Sequence, residues 1–197
     1  MKNFTIPTSY LNLLKTNVLA LYAVNPICRI MRKIGLLSDT HGFIHPELEH
    51  IFKDCDEIWH AGDFGNLETA DTLRKLKPLR GVYGNIDDTG IRSEFPEILR
   101  FNCEEVDVLM IHIGGYPGSY SAKVREIMRV RPPKLFISGH SHILKIMFDK
   151  KHNCLHLNPG AAGRYGFHKV ISMLRFVIDG PHIKDMELVE FPRETKL

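Results

Sequence analysis

The sequence predicts an α/β protein in which two mixed β-sheets pack face to face as a sandwich flanked by helices. Short apolar runs alternate with helix-like segments in the first half of the chain, the pattern of a parallel sheet with right-handed crossovers. The second half is richer in strands, which are separated by turn residues such as Gly180-Pro181. Of the 197 residues, 44% are hydrophobic and 25% charged, a balance typical of globular proteins.

The first half is predicted to follow a β-α-β-α-β order. Residues 33–38 are a short apolar run that ends at a polar loop, as a buried parallel strand does. A helix over 46–53 begins at Pro46, a residue that the first turn of a helix tolerates. The next elements are a strand, a helix and a strand over 57–60, 67–75 and 79–83.

The second half begins with an antiparallel hairpin, predicted over 98–103 and 106–111. A helix over 121–131 follows, with Ser121 as its N-cap and Pro132-Pro133 as its stop. The remaining strands are predicted over 135–138, 143–148, 154–157, 170–178 and 182–191.

We predict an N-terminal extension over 1–30 and a single domain over 31–197. The apolar run 17–24 is eight residues long, whereas a spanning helix needs about 20. A weak signal peptide stays open because Lys2 and Lys15 precede this run. The alternative is a leader upstream of a start at Met31, which stands directly before the first strand.

Charge and cysteine usage exclude several classes of function. The net charge is only +3 and no block of five like charges occurs, so we expect neither a nucleic-acid partner nor a membrane surface. The cysteines form no C-x-x-C pair, which disfavours structural zinc and a redox dithiol. We therefore expect reduced thiols in a cytoplasmic protein. These residues are Cys28, Cys55, Cys103 and Cys154.

Five polar clusters each come directly after a predicted strand. They are Asp39-Thr40-His41, Gly62-Asp63, Gly84-Asn85, His112 and Gly139-His140-Ser141-His142. Each alone is also a common turn or cap, but all five in order at strand ends favour a site, because parallel strands gather ligands beyond their carboxyl ends. Carboxylate, amide and imidazole donors suit Mn, Fe, Ni or Zn. The sequence thus predicts a metal centre at one rim of the fold.

With these clusters, the chain from about Met31 to Ile178 resembles the calcineurin-like metallophosphoesterase superfamily, and within it the small YfcE-type phosphodiesterases. The resemblance implies two divalent ions, with Mn favoured over Ni, Fe or Zn. It also implies hydrolysis of a small phosphoester by in-line attack of a hydroxide that bridges the two ions. The implied ligands are Asp39, His41, Asp63 and His142 for one ion, and Asp63, Asn85, His112 and His140 for the other. Asp63, Asn85 and His112 are the implied catalytic residues.

Two positions depart from the family pattern. Ile86 stands where many relatives have a histidine that assists the leaving group, and Asp87 follows it, as in the small branch. Because isoleucine has no proton to give, we expect aryl esters to be hydrolysed faster than alkyl esters. Ile113 stands where relatives usually have glycine, which puts the backbone next to His112 in question.

Three residues outside the implied ligand set have weaker sequence signals for a role at the site. His60 and Asp87 are candidates for orienting a metal ligand, and Arg164 for contacting a phosphate oxygen. Each also has an ordinary interpretation, as core histidine, turn residue and surface arginine respectively. The segment Asn158-Pro159-Gly160-Ala161 resembles one that closes the site in this branch, with Ala161 in place of serine.

Two other classes of function remain as alternatives. The first is a scaffold like Vps29, a structural cousin of this branch, with weak or no catalysis. Retention of every donor favours the enzyme, because clustered unpaired Asp and His side chains destabilise a fold unless metal neutralises them. The second is a nuclease of the same superfamily, which the lack of a basic stripe disfavours. The resemblance to the phosphoesterase branch also implies a homo-oligomer, because relatives often associate.

Overall fold

The structure, a computed structural model, describes residues 31–166 and 169–193, which hold twelve strands and four helices. The predicted extension over 1–30, Cys28 and the question of a signal peptide all lie outside these residues. None of the helices in the described ranges is long and apolar enough to cross a bilayer.

The first sheet is mixed and has the strand order β12-β11-β1-β2-β3. Its strands are β1 (Arg32–Leu37), β2 (Glu57–His60), β3 (Leu79–Gly81), β11 (Val170–Asp179) and β12 (His182–Pro192). β1, β2 and β3 are parallel, whereas β11 runs antiparallel to β1 and to β12. The three parallel strands therefore end at one edge of the sheet.

The second sheet is also mixed. It contains β4 (Ile98–Cys103), β5 (Val106–Ile111), β8 (Leu135–Ile137), β9 (Leu144–Asp149) and β10 (Cys154–Pro159), in the order β4-β5-β8-β10-β9. β5, β8 and β10 are parallel to one another, and β4 and β9 are antiparallel edge strands. This arrangement confirms the two mixed sheets that the sequence predicts.

Helices cover the outer faces of both sheets. They are α1 (Leu48–Phe52), α2 (Leu67–Leu76), α3 (Thr89–Glu94) and α4 (Ala122–Val130). Side chains cap three of them: Asn66 accepts from Thr69 N, Asp88 from Ile91 N, and Ser121 from Val124 N. The predicted Ser121 cap is thus confirmed; each cap satisfies a backbone donor that the helix leaves unpaired.

Three apolar layers hold the fold together. The central layer lies between the sheets and includes Ile34, Trp59 and Leu174. An outer layer on the first sheet packs Phe52 and Leu73 under the helices, and another on the second sheet lies below α4. Burial of each large side chain stabilises the fold by about 1.5–3 kcal/mol. These layers fix the relative position of the strand ends.

Two small elements differ from the prediction. Helix α3 is the next element after β3, in a segment where the sequence predicts no helix. A hairpin of two-residue strands, β6 (Gly115–Tyr116) and β7 (Ser119–Tyr120), follows β5. Both are too short for a periodic pattern, although the Pro117-Gly118 turn is a local signal for the hairpin.

The described cysteines, Cys55, Cys103 and Cys154, are free and buried. Burial raises the pKa of the Cys55 and Cys103 thiols to about 11 and that of Cys154 to about 12. Thiols at these positions stay protonated at neutral pH and are poor nucleophiles and metal ligands.

Candidate metal centre

All five predicted clusters lie beyond the carboxyl ends of parallel strands, at one edge of the sandwich. The first three clusters follow β1, β2 and β3 in that order, His112 follows β5, and His140 and His142 follow β8. Backbone hydrogen bonds join the loops: Asp39 N donates to Gly62 O at 2.9 Å, and Gly139 N donates to His112 O at 3.0 Å. The last bond connects the loops of the second sheet.

Five donor residues have left-handed backbone, with φ between 50° and 65°: Asp39, His41, Asp63, His140 and His142. This region is uncommon for residues other than glycine, although Asp and His are enriched in it. Such conformations persist where the surroundings fix them, and they cluster at functional sites.

The first donor group consists of Asp39, His41 and His142, whose ligand atoms all lie within 4.8 Å of one another. His142 Nε2 is 3.1 Å from Asp39 Oδ1 and 3.4 Å from His41 Nε2. Asp39 is fully buried, and its Oδ2 accepts a hydrogen bond from His140 N at 3.1 Å. One carboxylate oxygen thus holds the backbone of the His140 loop, and the other faces the imidazoles.

The second donor group consists of Asp63, His112 and His140, again within 4.8 Å. His112 Nε2 is 3.2 Å from Asp63 Oδ2 and 3.1 Å from Asn85 Oδ1. The His140 ring lies 5.3 Å from the His112 ring, measured between centroids. Asp63 and His112 are buried, whereas His140 and Asn85 are exposed, so this group opens to solvent.

The carboxylate of Asp63 lies between the two groups. Its Oδ2 is 3.2 Å from His112 Nε2 and 3.7 Å from His41 Nε2. His112 Nε2 is also 3.9 Å from Asp39 Oδ1. The donors therefore form one continuous cluster with Asp63 at its centre.

The spacing of the donors fits shared cations. Zn–N and Zn–O bonds are about 2.0–2.2 Å long, so two donors on one ion are roughly 3–4 Å apart. The distances from His142 Nε2 to Asp39 Oδ1 and to His41 Nε2, 3.1 and 3.4 Å, lie in this range. Within the described residues, the buried Oδ1 of Asp39 has no donor in hydrogen-bonding geometry despite the nearby imidazole. A cation would satisfy this oxygen.

The His112 ring is oriented by the backbone. Its Nδ1 lies 2.8 Å from the carbonyl oxygen of Ala61, which can only accept a hydrogen bond. The Nδ1 atom therefore carries a proton. Nε2 faces two oxygen acceptors, Asp63 Oδ2 and Asn85 Oδ1: it donates to them when it is protonated, and in the neutral ring its lone pair is available to a cation between them. Metal-bound histidines are commonly fixed in this way by an outer acceptor.

Glycines leave room for the donors. A Cβ at Gly84 would lie 2.0 Å from Asp63 Oδ1, and one at Gly62 would lie 2.6 Å from His112 Nδ1. A Cβ at Gly139 would meet Ser38 Oγ at 2.1 Å. The loops can converge this closely only because these three positions lack a side chain.

Burial and neighbouring carboxylates set the pKa values of the histidines. Burial lowers the pKa of His41, against the opposing effect of Asp63 and Asp39. Burial also lowers the pKa of His112, but the hydrogen bond and charge of Asp63 with the charge of Asp39 outweigh it and raise the pKa overall. The pKa of His142 is raised by its contact with Asp39. The carboxylates thus favour the protonated form of His112 and His142, whereas burial disfavours it for His41.

Asp87 holds the backbone of the second group. Its Oδ2 accepts from Asp63 N at 3.0 Å and from Gly84 N at 2.7 Å, and its Oδ1 accepts from Gly65 N at 2.9 Å. The side chain is buried. Asp87 thus contacts the backbone of Asp63, Gly84 and Gly65, and its role in orienting a metal ligand stays a prediction.

His60 and Arg164 lie further from the donors. His60 Nδ1 accepts from Gly62 N at 3.1 Å, and its Nε2 contacts Thr40 Oγ1 at 2.9 Å. The ring therefore connects the loop of Asp63 to the loop of Asp39 through two residues that are not candidate ligands. Arg164 is exposed and its guanidinium lies 4.2 Å from the centre of the Phe43 ring. The ordinary interpretation, a surface arginine, fits this contact.

The departures from the family pattern are accommodated locally. Ile86 N donates to Asp63 Oδ1 at 3.1 Å, and the Ile86 side chain is exposed beside the site. Ile113 is also exposed and does not prevent His112 from meeting Asp63 and Asn85. Asn158, in the segment singled out above, donates to Gly139 O at 2.8 Å and so supports the His140 loop.

Comparisons with known proteins agree with the geometry. The profile of the calcineurin-like phosphoesterase superfamily domain matches residues 32–180. A probable metallophosphoesterase of Methanothermobacter thermautotrophicus is 31% identical over 134 aligned positions, in a match that covers 65% of this chain and 76% of the relative.

Solved structures share the fold. A Streptococcus pneumoniae protein described as a predicted phosphoesterase has a TM-score of 0.60 at 21% identity, covering 83% of this chain and 91% of its own. Vps29 of Entamoeba histolytica complexed with Zn²⁺ has a TM-score of 0.53 at 18% identity, covering 80% of this chain and 98% of its own. By its sequence match, this chain belongs to the calcineurin-like phosphoesterase superfamily.

Proposed function

We propose that the chain is a phosphodiesterase that uses two divalent cations held at the donor cluster. The observation that carries the proposal is the central position of Asp63, whose Oδ2 lies 3.2 Å from His112 Nε2 and 3.7 Å from His41 Nε2. A carboxylate between two donor groups can bridge two ions. The superfamily and the archaeal relative support a metal-dependent phosphoester hydrolase.

The proposed division of ligands follows the two groups. One ion would be held by Asp39, His41, Asp63 and His142. The other would be held by Asp63, Asn85, His112 and His140. Two divalent cations held there would lower the pKa of a bound water and would neutralise charge on the phosphoryl oxygens. In this proposal Asp63 would contact both ions, and the exposed Asn85, next to the buried His112, lies on the side where a substrate can approach.

The proposal predicts a strong dependence on the leaving group. Ile86 occupies the position of the assisting histidine in relatives, and it offers only its backbone N–H, which Asp63 already accepts. Hydrolysis therefore proceeds without a proton donor at this position, and we expect aryl phosphodiesters to react at least about 100-fold faster than methyl analogues. Steady-state rates for a matched series of esters measure this dependence. Equal rates would contradict it.

A metal-replacement panel tests the function itself. Apo-protein is assayed with bis(4-nitrophenyl) phosphate and with 4-nitrophenyl phosphate after separate addition of Mn²⁺, Ni²⁺, Fe²⁺ and Zn²⁺. We expect hydrolysis of the diester with at least one ion, highest with Mn²⁺, and its loss in Asp63→Asn. Circular dichroism verifies that the variant remains folded. Faster hydrolysis of the monoester would overturn the diesterase assignment.

The alternative is a protein-binding scaffold like Vps29. The Vps29 structures with this fold favour it, and one of them was solved with Zn²⁺, so metal binding alone does not separate the two functions. The same panel does separate them. A folded protein that binds the ions but hydrolyses neither ester would be the result expected of the scaffold.

A further inference from the structure

A cavity of about 490 Å³ adjoins the second donor group, with His112 and His140 in its wall. The β6–β7 hairpin, the start of β9 and the Asn158 segment form the rest of the wall. No residue of this wall, all of it in the described part of the chain, is Asp or Glu, and its one lysine is Lys145. A cationic side chain therefore lines the same cavity as His112 and His140 of the candidate metal centre.

The strand register places Lys145 next to the His140 loop. Lys145 of β9 pairs with Asn158 of β10, and residues directly opposite each other point to the same face of a sheet. The Asn158 side chain donates to Gly139 O at 2.8 Å and to Ser141 Oγ at 3.1 Å. Lys145 and the loop that carries His140 therefore share one side of the sheet.

Tyr116 holds the ammonium group without neutralising it. Lys145 Nζ lies 3.3 Å from the centre of the Tyr116 ring, a cation–π contact. The backbone of Tyr116 belongs to a tight hairpin: Pro117 and Gly118 form its turn, Gly118 has φ +89°, and a Cβ at Gly115 would lie 2.1 Å from Ser119 O. The charge is thus presented to the cavity from a defined position.

We propose that this cavity receives the organic part of the substrate and that Lys145 selects phosphoesters that carry a second anionic group there. The inference rests on the proposed function and specifies its substrate class: a phosphoester whose organic group bears a carboxylate or a further phosphate. Lys145 is a specificity residue, and Tyr116 is the positioning residue that holds it.

Paired substrates test the selection. 4-Nitrophenyl phenyl phosphate and its analogue with a carboxylate on the phenyl ring release the same nitrophenolate and differ only in the charge of the retained group. We expect wild-type protein to prefer the carboxylated ester by about tenfold in kcat/KM, mainly through KM, and Lys145→Gln to bring this ratio close to one. Lys150→Gln is the matched control, since Lys150 is an exposed lysine outside the cavity wall and should keep the wild-type ratio.

The tyrosine variants separate positioning from simple packing. Tyr116→Phe keeps an aromatic face for the ammonium and should retain the preference, whereas Tyr116→Leu should lose most of it. A wild-type ratio in Lys145→Gln would overturn the role of Lys145. Loss of the preference in Tyr116→Phe as well would overturn the cation–π positioning.

A binding measurement keeps this inference distinct from the proposed function. Phenylphosphonate and 4-carboxyphenylphosphonate, which cannot be hydrolysed, are titrated into metal-loaded wild-type and Lys145→Gln proteins by calorimetry. A Lys145-dependent preference in a protein without hydrolytic activity would support the anion site and refute the enzyme. Hydrolysis without that preference in either assay would refute the anion site and leave the enzyme standing.

Discussion

At the residue scale, the donor cluster is held in an unfavourable conformation by the backbone around it. Asp39, Asp63 and three histidines have positive φ, a strain of about 1 kcal/mol or more for each residue. Hydrogen bonds such as His41 N to Asp63 O at 3.1 Å connect one strained loop to the next. The positions of the donor side chains therefore depend on backbone groups that are not themselves candidate metal ligands.

Asp87 is the clearest of these supporting groups, and Asp87→Asn is predicted to weaken metal binding. Asparagine would leave one acceptor oxygen for the three backbone N–H groups of Asp63, Gly84 and Gly65. Loss of an outer partner of this kind lowers metal affinity by about 10- to 100-fold. Competition titration against a fluorescent chelator measures the change.

Asp88→Asn is the matched control for that variant. Asp88 caps α3 by accepting from Ile91 N at 3.1 Å, a role that asparagine fills equally well. The control should bind metal as the wild type does. Equal affinities of the Asp87 and Asp88 variants would show that the Asp87 contacts do not tune the site.

At the element scale, the position of α1 on β1 depends on one glycine. A Cβ at Gly35 would lie 2.8 Å from atoms of the Phe52 ring, which is in the core. We predict that Gly35→Ala lowers the free energy of unfolding by about 1–3 kcal/mol through overpacking. Urea denaturation measures this loss.

The double variant Gly35→Ala/Phe52→Leu identifies the cause. The smaller leucine makes room for the new methyl group, so the two changes together should cost less than the sum of each alone. Additive losses would mean that the alanine disturbs the strand by another route.

A second element-scale feature is the connection between the β6–β7 hairpin and the end of β9. Burial by itself raises the pKa of Asp149, but hydrogen bonds from His152 and Tyr120 outweigh burial and lower the pKa from 3.8 to about 2. Tyr120 Oη donates to Asp149 Oδ2 at 2.7 Å. The ionised carboxylate therefore stabilises the folded state.

This shift predicts an acid-dependent loss of stability. A folded-state pKa below the unfolded one stabilises the protein above about pH 4, and this stabilisation disappears as the pH falls toward 2. In urea denaturation at several pH values, the stability difference between wild type and Asp149→Asn should shrink over that interval. Asp71→Asn, at an exposed residue of α2, should differ little from wild type throughout. A pH-independent difference for Asp149→Asn would contradict the prediction.

At the scale of the whole molecule, three apolar layers pack against the strands that lead into the five donor loops. We therefore predict that a chelator lowers the melting temperature but leaves the far-ultraviolet circular dichroism unchanged. Ions at 100 times their dissociation constant stabilise the fold by about 2.7 kcal/mol. Calorimetry with and without added Mn²⁺ measures the shift, which Asp63→Asn should largely lose. Unfolding on chelation would instead make the ions part of the fold.

The elements that could be predicted are those with a repeated pattern of apolar residues. In the described part of the chain, every strand of three or more residues and the helices α1, α2 and α4 overlap a predicted segment. Helix α3 has one buried residue, Ile91, and hairpin strands of two residues have no period at all. β3 ends at Gly81, earlier than predicted, because Tyr83 N donates to Pro96 O at 3.0 Å outside the sheet. Such contacts come from distant residues and leave no local signal.

The sequence by itself determined the order of the longer elements and the chemical types of the donors, because apolar periodicity and turn residues are local properties. Only the tertiary structure decided which donors face one another: that Asp63 lies between the groups, that Asp87 holds three backbone N–H groups, and that Lys145 lies in the cavity wall. These relations join residues from separate strands. They depend on sheet register and packing distance, which no single segment of the chain specifies.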